Sequence, residues 1–191
     1  MVRDSAATQN RILKAAIEEF AAHGLAGARV GRIAEASGAN QRAIYVYYGS
    51  KEGLFNAALR RVISDLVEAV PLTEDDLPGY AGRMFDYLLE HPEALRMGMW
   101  RHLERPAAGP DVSAVYAQKI EAMAGGGSGL TASGLPPTDL LVLVQGLTSS
   151  WLLSPRDLLA AADGDPYSPD RLAAHRTAIV EAARRLCAPV P

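Results

Sequence analysis

The sequence predicts an all-α protein. Apolar residues recur three or four positions apart along most of the 191 residues, which is the spacing of one helix face. Nothing in the chain has the pattern of a β-strand, and glycines and prolines separate the periodic segments as helix ends require. We therefore expect helices joined by turns and loops, in one or two domains with a substantial core.

Composition agrees with an ordinary globular protein, because 49% of the residues are hydrophobic and 21% are charged. No apolar run approaches the roughly 20 residues of a membrane span, and the first ten residues lack the apolar core of a signal peptide. The single cysteine, Cys187, excludes an internal disulfide framework and suits a reducing compartment. These observations predict a cytoplasmic protein.

The first helix is expected over residues 5–23. Ser5 is the expected N-cap residue, and Gly24 ends the helix after His23. Because three short helices have no other core to share, the apolar stripe of this helix should pack against Ile33 and Ile44. The stripe consists of Ile12, Leu13, Ala16, Ile17 and Phe20.

Two short helices and a tight turn follow. Val30 and Ile33 begin an apolar face, and Gly38 ends that helix because glycine readily takes the left-handed conformation. Asn40 is placed to cap the next helix, residues 41–47, which should bury Ala43 or Ile44, together with Tyr48. This arrangement is typical of the helix-turn-helix, whose second helix enters the major groove of DNA, although any helical hairpin has similar spacing.

The rest of the chain predicts further helices. Ser50 should cap a long helix that runs from residue 51 to about residue 70, where Pro71 stops it. Helices are also expected over residues 80–90 and 93–103, and from Asp111 or Ser113 through residue 123. Residues 72–78, 106–110 and 125–137 are expected to be turns or loops, the last of them flexible because of its glycines.

Two apolar helices are expected near the C-terminus. One is capped by Thr138 or Asp139 and runs from Leu140 to Leu153, nearly apolar on all sides, so it must be buried on two sides. The other runs from Ser168 to Leu186.

Several short motifs fall in one order and at one spacing, and they closely resemble the N-terminal domain of the TetR family of bacterial transcriptional regulators. That resemblance implies a three-helix DNA-binding domain with a helix-turn-helix, residues 1–50, and a helical ligand-binding and dimerisation domain, residues 51–191. It also implies a homodimer through the two C-terminal helices, so a charge at Val144 or Ile179 is expected to separate or unfold the dimer. The motifs are Ile33-Ala34, Ser37-Gly38-Ala39-Asn40, Ile44-Tyr45, Tyr47-Tyr48 and Ser50-Lys51-Glu52.

The charge distribution favours a DNA-binding N-terminal part. Residues 1–61 carry nine Lys and Arg against five Asp and Glu, a balance of +4, and the remaining 10 against 17 give −7, which together return the net charge of −3. Such asymmetry is expected when one part of a protein faces phosphate groups.

Gln41 and Arg42 are the candidates for reading base edges, since arginine suits guanine and glutamine suits adenine. The alternative is that both are merely solvated surface residues. Arg42 stands where the family commonly has a small residue, so a known operator sequence does not transfer to this chain.

Tyr45, Tyr47 and Lys51 are expected to hold phosphate oxygens, and Asn40 is a further candidate. Arg29 stands where the family often has a threonine that caps the second helix and touches phosphate. Arginine cannot cap, but its charge can replace the phosphate contact. The resemblance assigns Tyr48 a packing role instead.

The resemblance also implies an effector pocket enclosed by the regulatory helices. Methionine and aromatic side chains suit adaptable binding surfaces. The alternative is that these residues only fill the core. Arg96 and Arg101 are candidates for selecting an acidic ligand. The expected lining residues are Met84, Tyr87, Leu88, Met97, Trp100, Tyr116, Met123 and Trp151.

The sequence does not favour an enzyme or a metalloprotein. His91, His102 and His175 have no metal-ligand spacing, and Ser149-Ser150 lacks the glycines of a nucleophile elbow. No cofactor is expected. The resemblance to the TetR family implies a DNA-binding repressor that a small molecule releases from its operator. The alternatives are an activator or ligand-independent regulator of the same fold, or a helical small-molecule-binding protein or enzyme with a structural hairpin.

Overall fold

The computed structural model describes residues 2–72, 76–104, 110–125, 133–161 and 164–188. Their regular structure is entirely helical, which confirms the all-α prediction. Much of each predicted loop, namely residues 73–75, 106–109 and 126–132, lies outside the described residues. In chain order the helices are α1 (Val2–Gly27), α2 (Val30–Ser37), α3 (Gln41–Tyr48), α4 (Lys51–Ala69), α5 (Leu77–Glu90), α6 (Pro92–Glu104), α7 (Pro110–Gly125), α8 (Pro137–Leu153), α9 (Arg156–Ala160) and α10 (Pro169–Cys187).

The chain forms two compact units. The first comprises Met1–Glu68 and His91–Ser113, and the second comprises Ala69–Glu90 and Ala114–Pro191. By packing, α4 and α6 therefore belong with the N-terminal helices, and the unit that carries the helix-turn-helix is larger than residues 1–50. The domain boundary after residue 50 stays a prediction.

The core of the first unit is built from α1 to α4 and α6. Ile12 of α1, Ile33 of α2 and Ile44 of α3 are all buried in one cluster, as the apolar stripe predicted. Phe20 meets Phe55 of α4 edge-to-face, with ring centroids 5.1 Å apart. Burial of such large side chains stabilises each helix by about 1.5–3 kcal/mol per residue. These contacts hold α3 against α1.

The predicted caps of two helices are wrong. Ser5 lies inside α1, which begins at Val2, and its hydroxyl bonds a side chain of α3. Thr138 and Asp139 lie inside α8, which begins at Pro137 after Pro136. Proline is favourable in a first turn because its preset φ is helical and its missing N–H has no partner there, so α8 needs no polar cap. In contrast, Ser50 caps α4 as predicted, with its Oγ accepting from Gly53 N–H at 3.0 Å.

The second unit is built on α5, α8 and α10. The sequence predicts that α8 is buried on two sides, and within the described chain it is buried on one. Val144 lies in the core, whereas the side chains of Val142 and Leu143 are 61% and 44% exposed. Val144 and Ile179 are buried in the core of their own protomer, so their burial favours unfolding among the two outcomes expected for a charge at either position. A charge at either position would unfold the second unit. The apolar surface available to a partner is the opposite side of α8.

Among the described helices, none combines the length and the apolarity that a membrane span requires.

Candidate nucleic-acid interface

The turn between α2 and α3 has the geometry that the sequence predicts. Gly38 ends α2 in the left-handed conformation with φ of 66°, and Ala39 N–H donates to Ala34 O at 3.1 Å. The Asn40 side chain caps α3, because its Oδ1 accepts from Ala43 N–H at 2.7 Å. These local hydrogen bonds set the angle between the two helices.

The start of α2 is stabilised by a residue that sequence reasoning missed. Arg29 occupies the N-cap position without a side-chain cap, as expected for arginine. Instead, Glu19 of α1 accepts from Arg29 N–H at 2.8 Å and from Arg32 Nε at 2.8 Å. Burial raises the pKa of Glu19, but the hydrogen bonds from the Arg32 side chain and the Arg29 N–H outweigh burial and leave this pKa below its ordinary value. No local pattern connects Glu19 with α2, because the two are ten residues apart.

Replacing Glu19 with glutamine should destabilise the first unit. We expect Glu19→Gln to lower the free energy of unfolding at pH 7 by about 1 kcal/mol or more, the usual cost of losing a helix cap. A carboxyl group with a lowered folded-state pKa stabilises the fold above its unfolded pKa, near 4.5, and loses that effect as pH falls through the folded-state value. The difference between wild type and variant, measured by urea unfolding, should therefore shrink below pH 4.5. Glu18→Gln is the matched control, and equal effects of the two changes would contradict the assignment.

The outer face of α3 presents a row of exposed side chains. Ile44 is buried, whereas Gln41, Arg42 and Tyr45 are exposed. Val46 is 74% exposed and was not singled out from the sequence. Its position four residues after Arg42 places it on the same face, and an apolar side chain there can contact a thymine methyl group. This face therefore combines hydrogen-bonding and apolar groups of the kind that read base edges.

The two tyrosines at the end of α3 differ in their surroundings. Tyr48 packs against the core, and its hydroxyl donates to Gln9 O at 3.3 Å, which confirms its packing role. Burial raises the pKa of Tyr48. Tyr47 is more exposed, and its hydroxyl accepts from Ser5 Oγ at 3.3 Å. Tyr47 thus remains accessible to a phosphate group.

The other predicted phosphate contacts lie around the same surface. Arg29 and Asn40 are exposed. Lys51 Nζ donates to Ala26 O at 3.2 Å, so in the absence of DNA it also satisfies a carbonyl group at the end of α1. The phosphate-binding roles of these residues stay predictions.

The end of α1 is held by α6. Gly24 interrupts α1 with φ of 68° and ψ of −178°, which exposes the following backbone N–H groups. Glu104 Oε2 accepts from Leu25 N–H at 2.6 Å, and Trp100 Nε1 donates to Ala21 O at 3.2 Å. We call the contacts of Trp100 and Glu104 with α1 the α6 clamp. The α6 clamp joins α1, which packs against α2 and α3, to a helix outside the first three.

The predicted ligand-lining residues divide between the two units. Met97 is buried in the core of the first unit, where Trp100 forms the α6 clamp. The other six predicted lining residues lie in the second unit. Among them, the side chain of Tyr116 is 40% exposed. Four of these six are buried: Met84, Leu88, Met123 and Trp151. Lining of an effector pocket stays a prediction for all eight.

In the described part of the chain, no three His, Cys, Asp or Glu side chains are placed to hold a metal ion.

Sequence comparisons match both parts of the chain to known families. Residues 12–58 match the family described as "Bacterial regulatory proteins, tetR family". Residues 76–185 match the family described as "Tetracyclin repressor-like, C-terminal domain".

Individual proteins are also similar, over nearly the whole chain or over part of it. The chain is 38% identical over 189 residues to the HTH-type transcriptional repressor SCO4008 of Streptomyces coelicolor, covering 96% of this chain and 97% of that repressor. It is 37% identical over 93 residues to the repressor NicS of Pseudomonas putida, covering 45% of this chain and 44% of NicS. Among solved structures, a transcriptional regulator of Streptomyces coelicolor, SCO4942, aligns with a TM-score of 0.78 and 37% identity, covering 92% of this chain and 97% of that one.

Proposed function

The chain belongs to the TetR family of bacterial transcriptional regulators, and from this premise we propose that it is a repressor that a small molecule releases from its operator. In this proposal two copies bind the operator together in the cytoplasm, where the bacterial chromosome lies. Two similar proteins are named as repressors: SCO4008, which matches nearly the whole chain, and NicS, which matches less than half of it.

The exposed face of α3 carries this proposal. A recognition helix needs a rigid base and an accessible outer face, and α3 has both, with Ile44 buried and Arg42 and Val46 exposed. A mobility shift assay with DNA from upstream of its own gene tests the function directly. We expect retention of that fragment at concentrations that leave unrelated DNA of the same length free, and equal binding of both fragments would contradict a specific operator there.

Substitutions at Arg42 and Lys51 should separate base reading from phosphate binding. Arg42→Ala should weaken operator binding by about 1–3 kcal/mol and relax the preference at one base pair, because a bidentate arginine–guanine contact is lost. Lys51→Ala should weaken binding to all sequences similarly and lower the salt slope by about one. Titrations at several salt concentrations with operator and mismatched DNA measure both effects. The two roles are not distinct if the variants change affinity and preference in the same way.

We propose that the dimer forms through α8 and α10. Their outer surfaces border a mostly apolar groove of about 620 Å³, which leaves large hydrophobic side chains in contact with water. A second copy that covers these side chains would remove them from water, and dimers of this family are expected to close through such self-complementary surfaces. Residues that line the groove are Val142, Leu143, Gly146, Leu147, Ser150, Ala182, Arg185 and Leu186.

Dimer formation fixes the distance between the two recognition helices. Half-sites one helical turn apart require those helices to lie roughly 34–36 Å from each other, so a small change in spacing weakens binding. We expect a change in the spacing of the recognition helices to be transmitted to α1 and α3 by two sets of contacts. These are the α6 clamp and the packing of the buried face of α4. An effector shifts the equilibrium only by its differential affinity for the two states, typically 1–3 kcal/mol, and DNA must weaken effector binding by the same factor.

A further inference from the structure

A half-buried lysine of the second unit has an unusual set of neighbours. Lys119 Nζ, on α7, donates to the hydroxyl of Tyr80 on α5 at 2.9 Å. The same Nζ lies 5.0 Å from the centroid of the Tyr80 ring, and Tyr80 is fully buried. The ammonium group is therefore held against the interior of the unit rather than extended into water.

No carboxylate balances this charge among the residues that the structure describes. Two arginines of the same unit contrast with it, since Arg83 pairs with Asp76 at 2.9 Å and Arg176 pairs with Asp86 at 2.8 Å. Burial lowers the pKa of Lys119, which reflects the cost of keeping an unpaired ammonium group away from water. In the described residues this half-buried ammonium group therefore has a hydroxyl and an aromatic ring beside it, but no carboxylate.

Tyr80 and Tyr116 complete a polar cluster around Lys119. Because Tyr80 accepts from Lys119, its own hydroxyl hydrogen remains available to donate. Burial, and next the nearby Tyr116 group, raise the pKa of Tyr80 to about 12, so this hydroxyl stays protonated at neutral pH. Tyr116 lies one turn before Lys119 on α7 and is 40% exposed, which gives the cluster a side accessible from solvent.

We propose that Lys119, Tyr80 and Tyr116 bind the acidic head of the effector, and that the effector is an organic carboxylate. One carboxylate oxygen would accept from Lys119 Nζ and the other from the Tyr80 hydroxyl, while the exposed Tyr116 would border the site on its solvent side. The proposal rests on the proposed function, because it assigns a ligand class to the regulatory unit. A half-buried lysine without an anion is less favourable for stability here than an apolar residue would be. A bound anionic ligand would neutralise its charge and remove that disadvantage.

The experiment follows Lys119 directly by NMR. The chain contains three lysines, Lys14, Lys51 and Lys119, so ¹³Cε-labelled lysine yields few signals, and Lys119→Met identifies the third. Hexanoate, benzoate and 2-naphthoate serve as probes, each compared with its uncharged carboxamide. We expect the carboxylates to raise the pH at which Lys119 titrates and to bind at least about tenfold more tightly than the amides, or 1.4 kcal/mol.

Three variants separate recognition from folding. Lys119→Met should abolish the preference for carboxylates while melting at the same or a higher temperature, because an unpaired buried charge is removed. Lys119→Arg should keep the preference, and Lys14→Met, which changes a lysine of the first unit, should leave it intact. Equal binding of acids and amides, a preference that survives in Lys119→Met, or no effect of any carboxylate on the Lys119 signal at millimolar concentration would overturn the proposal.

Operator binding is measured on the same preparations. Wild type and Lys119→Met should both retain the operator fragment in the absence of a carboxylate. A wild-type protein that binds the operator but does not prefer carboxylates would overturn this inference alone, whereas failure of both proteins to bind the operator would overturn the proposed function.

Discussion

Leu143→Asp should convert the dimer into a monomer and abolish stable operator binding. Leu143 is 44% exposed on the outer side of α8 and lines the groove between α8 and α10. In a dimer closed through this groove, each aspartate would be buried in an apolar interface, and unpaired buried charges are strongly unfavourable. A monomer binds one half-site and loses the gain from linking two, so affinity for the full operator should fall by about 100-fold or more.

Sedimentation at micromolar concentration and the shift assay measure the two effects. Leu158→Asp is the matched control, because Leu158 is a 63% exposed leucine of α9 in the same unit but does not line the groove. The control should remain a dimer that binds the operator. A Leu143→Asp protein that sediments as a dimer with wild-type affinity would show that copies associate through another surface.

Gly24→Ala should destabilise the first unit and weaken operator binding. Its φ of 68° is unfavourable for any residue with a Cβ, and that atom would lie 2.7 Å from Glu104 Oε1 and 2.8 Å from Trp100 Cε3. Either the backbone of α1 at Gly24 or the side chains of Trp100 and Glu104 must therefore move. Backbone strain and overpacking each cost about 1–3 kcal/mol, so we expect a loss of about 2–5 kcal/mol in the free energy of unfolding.

Gly27→Ala is the control for this substitution. Gly27 lies in the same helix end, but an added Cβ would meet only His23 Cβ at an ordinary 3.5 Å. Its free energy of unfolding should change by less than about 1 kcal/mol. Urea unfolding and operator titration of both variants measure the difference, and similar losses at the two glycines would show that the clamp has no special role.

The recognition motif was predictable because its signals are local. Gly38 and Asn40 form their hydrogen bonds within five residues along the chain, and Ile44 is marked as buried by helical spacing alone. The same kind of reasoning failed at Ser5 and at the start of α8, where the helices extend beyond the expected polar caps. A possible cap does not prevent a helix from continuing when the preceding residues also accept helical geometry.

For α8 the sequence determined apolarity but not direction. Leu140 to Leu153 is hydrophobic on nearly all sides, so periodicity alone does not distinguish Val144 from Val142 or Leu143. Packing of α8 against α5 and α10 decides that Val144 is buried and that the other two remain exposed. A substitution that tests the dimer interface should therefore be made at Leu143 and not at Val144.

By itself, the sequence determined the helical class, the helix-turn-helix with its turn residues, and the family, since each depends on residues close together in the chain. Only the tertiary structure decided that Glu19 caps α2, that Glu104 holds the end of α1 and that Lys119 meets Tyr80. These pairs are separated by 10, 79 and 39 residues. Their partners are chosen by how helices pack, and no periodicity along one helix records which polar group of another helix will lie opposite it.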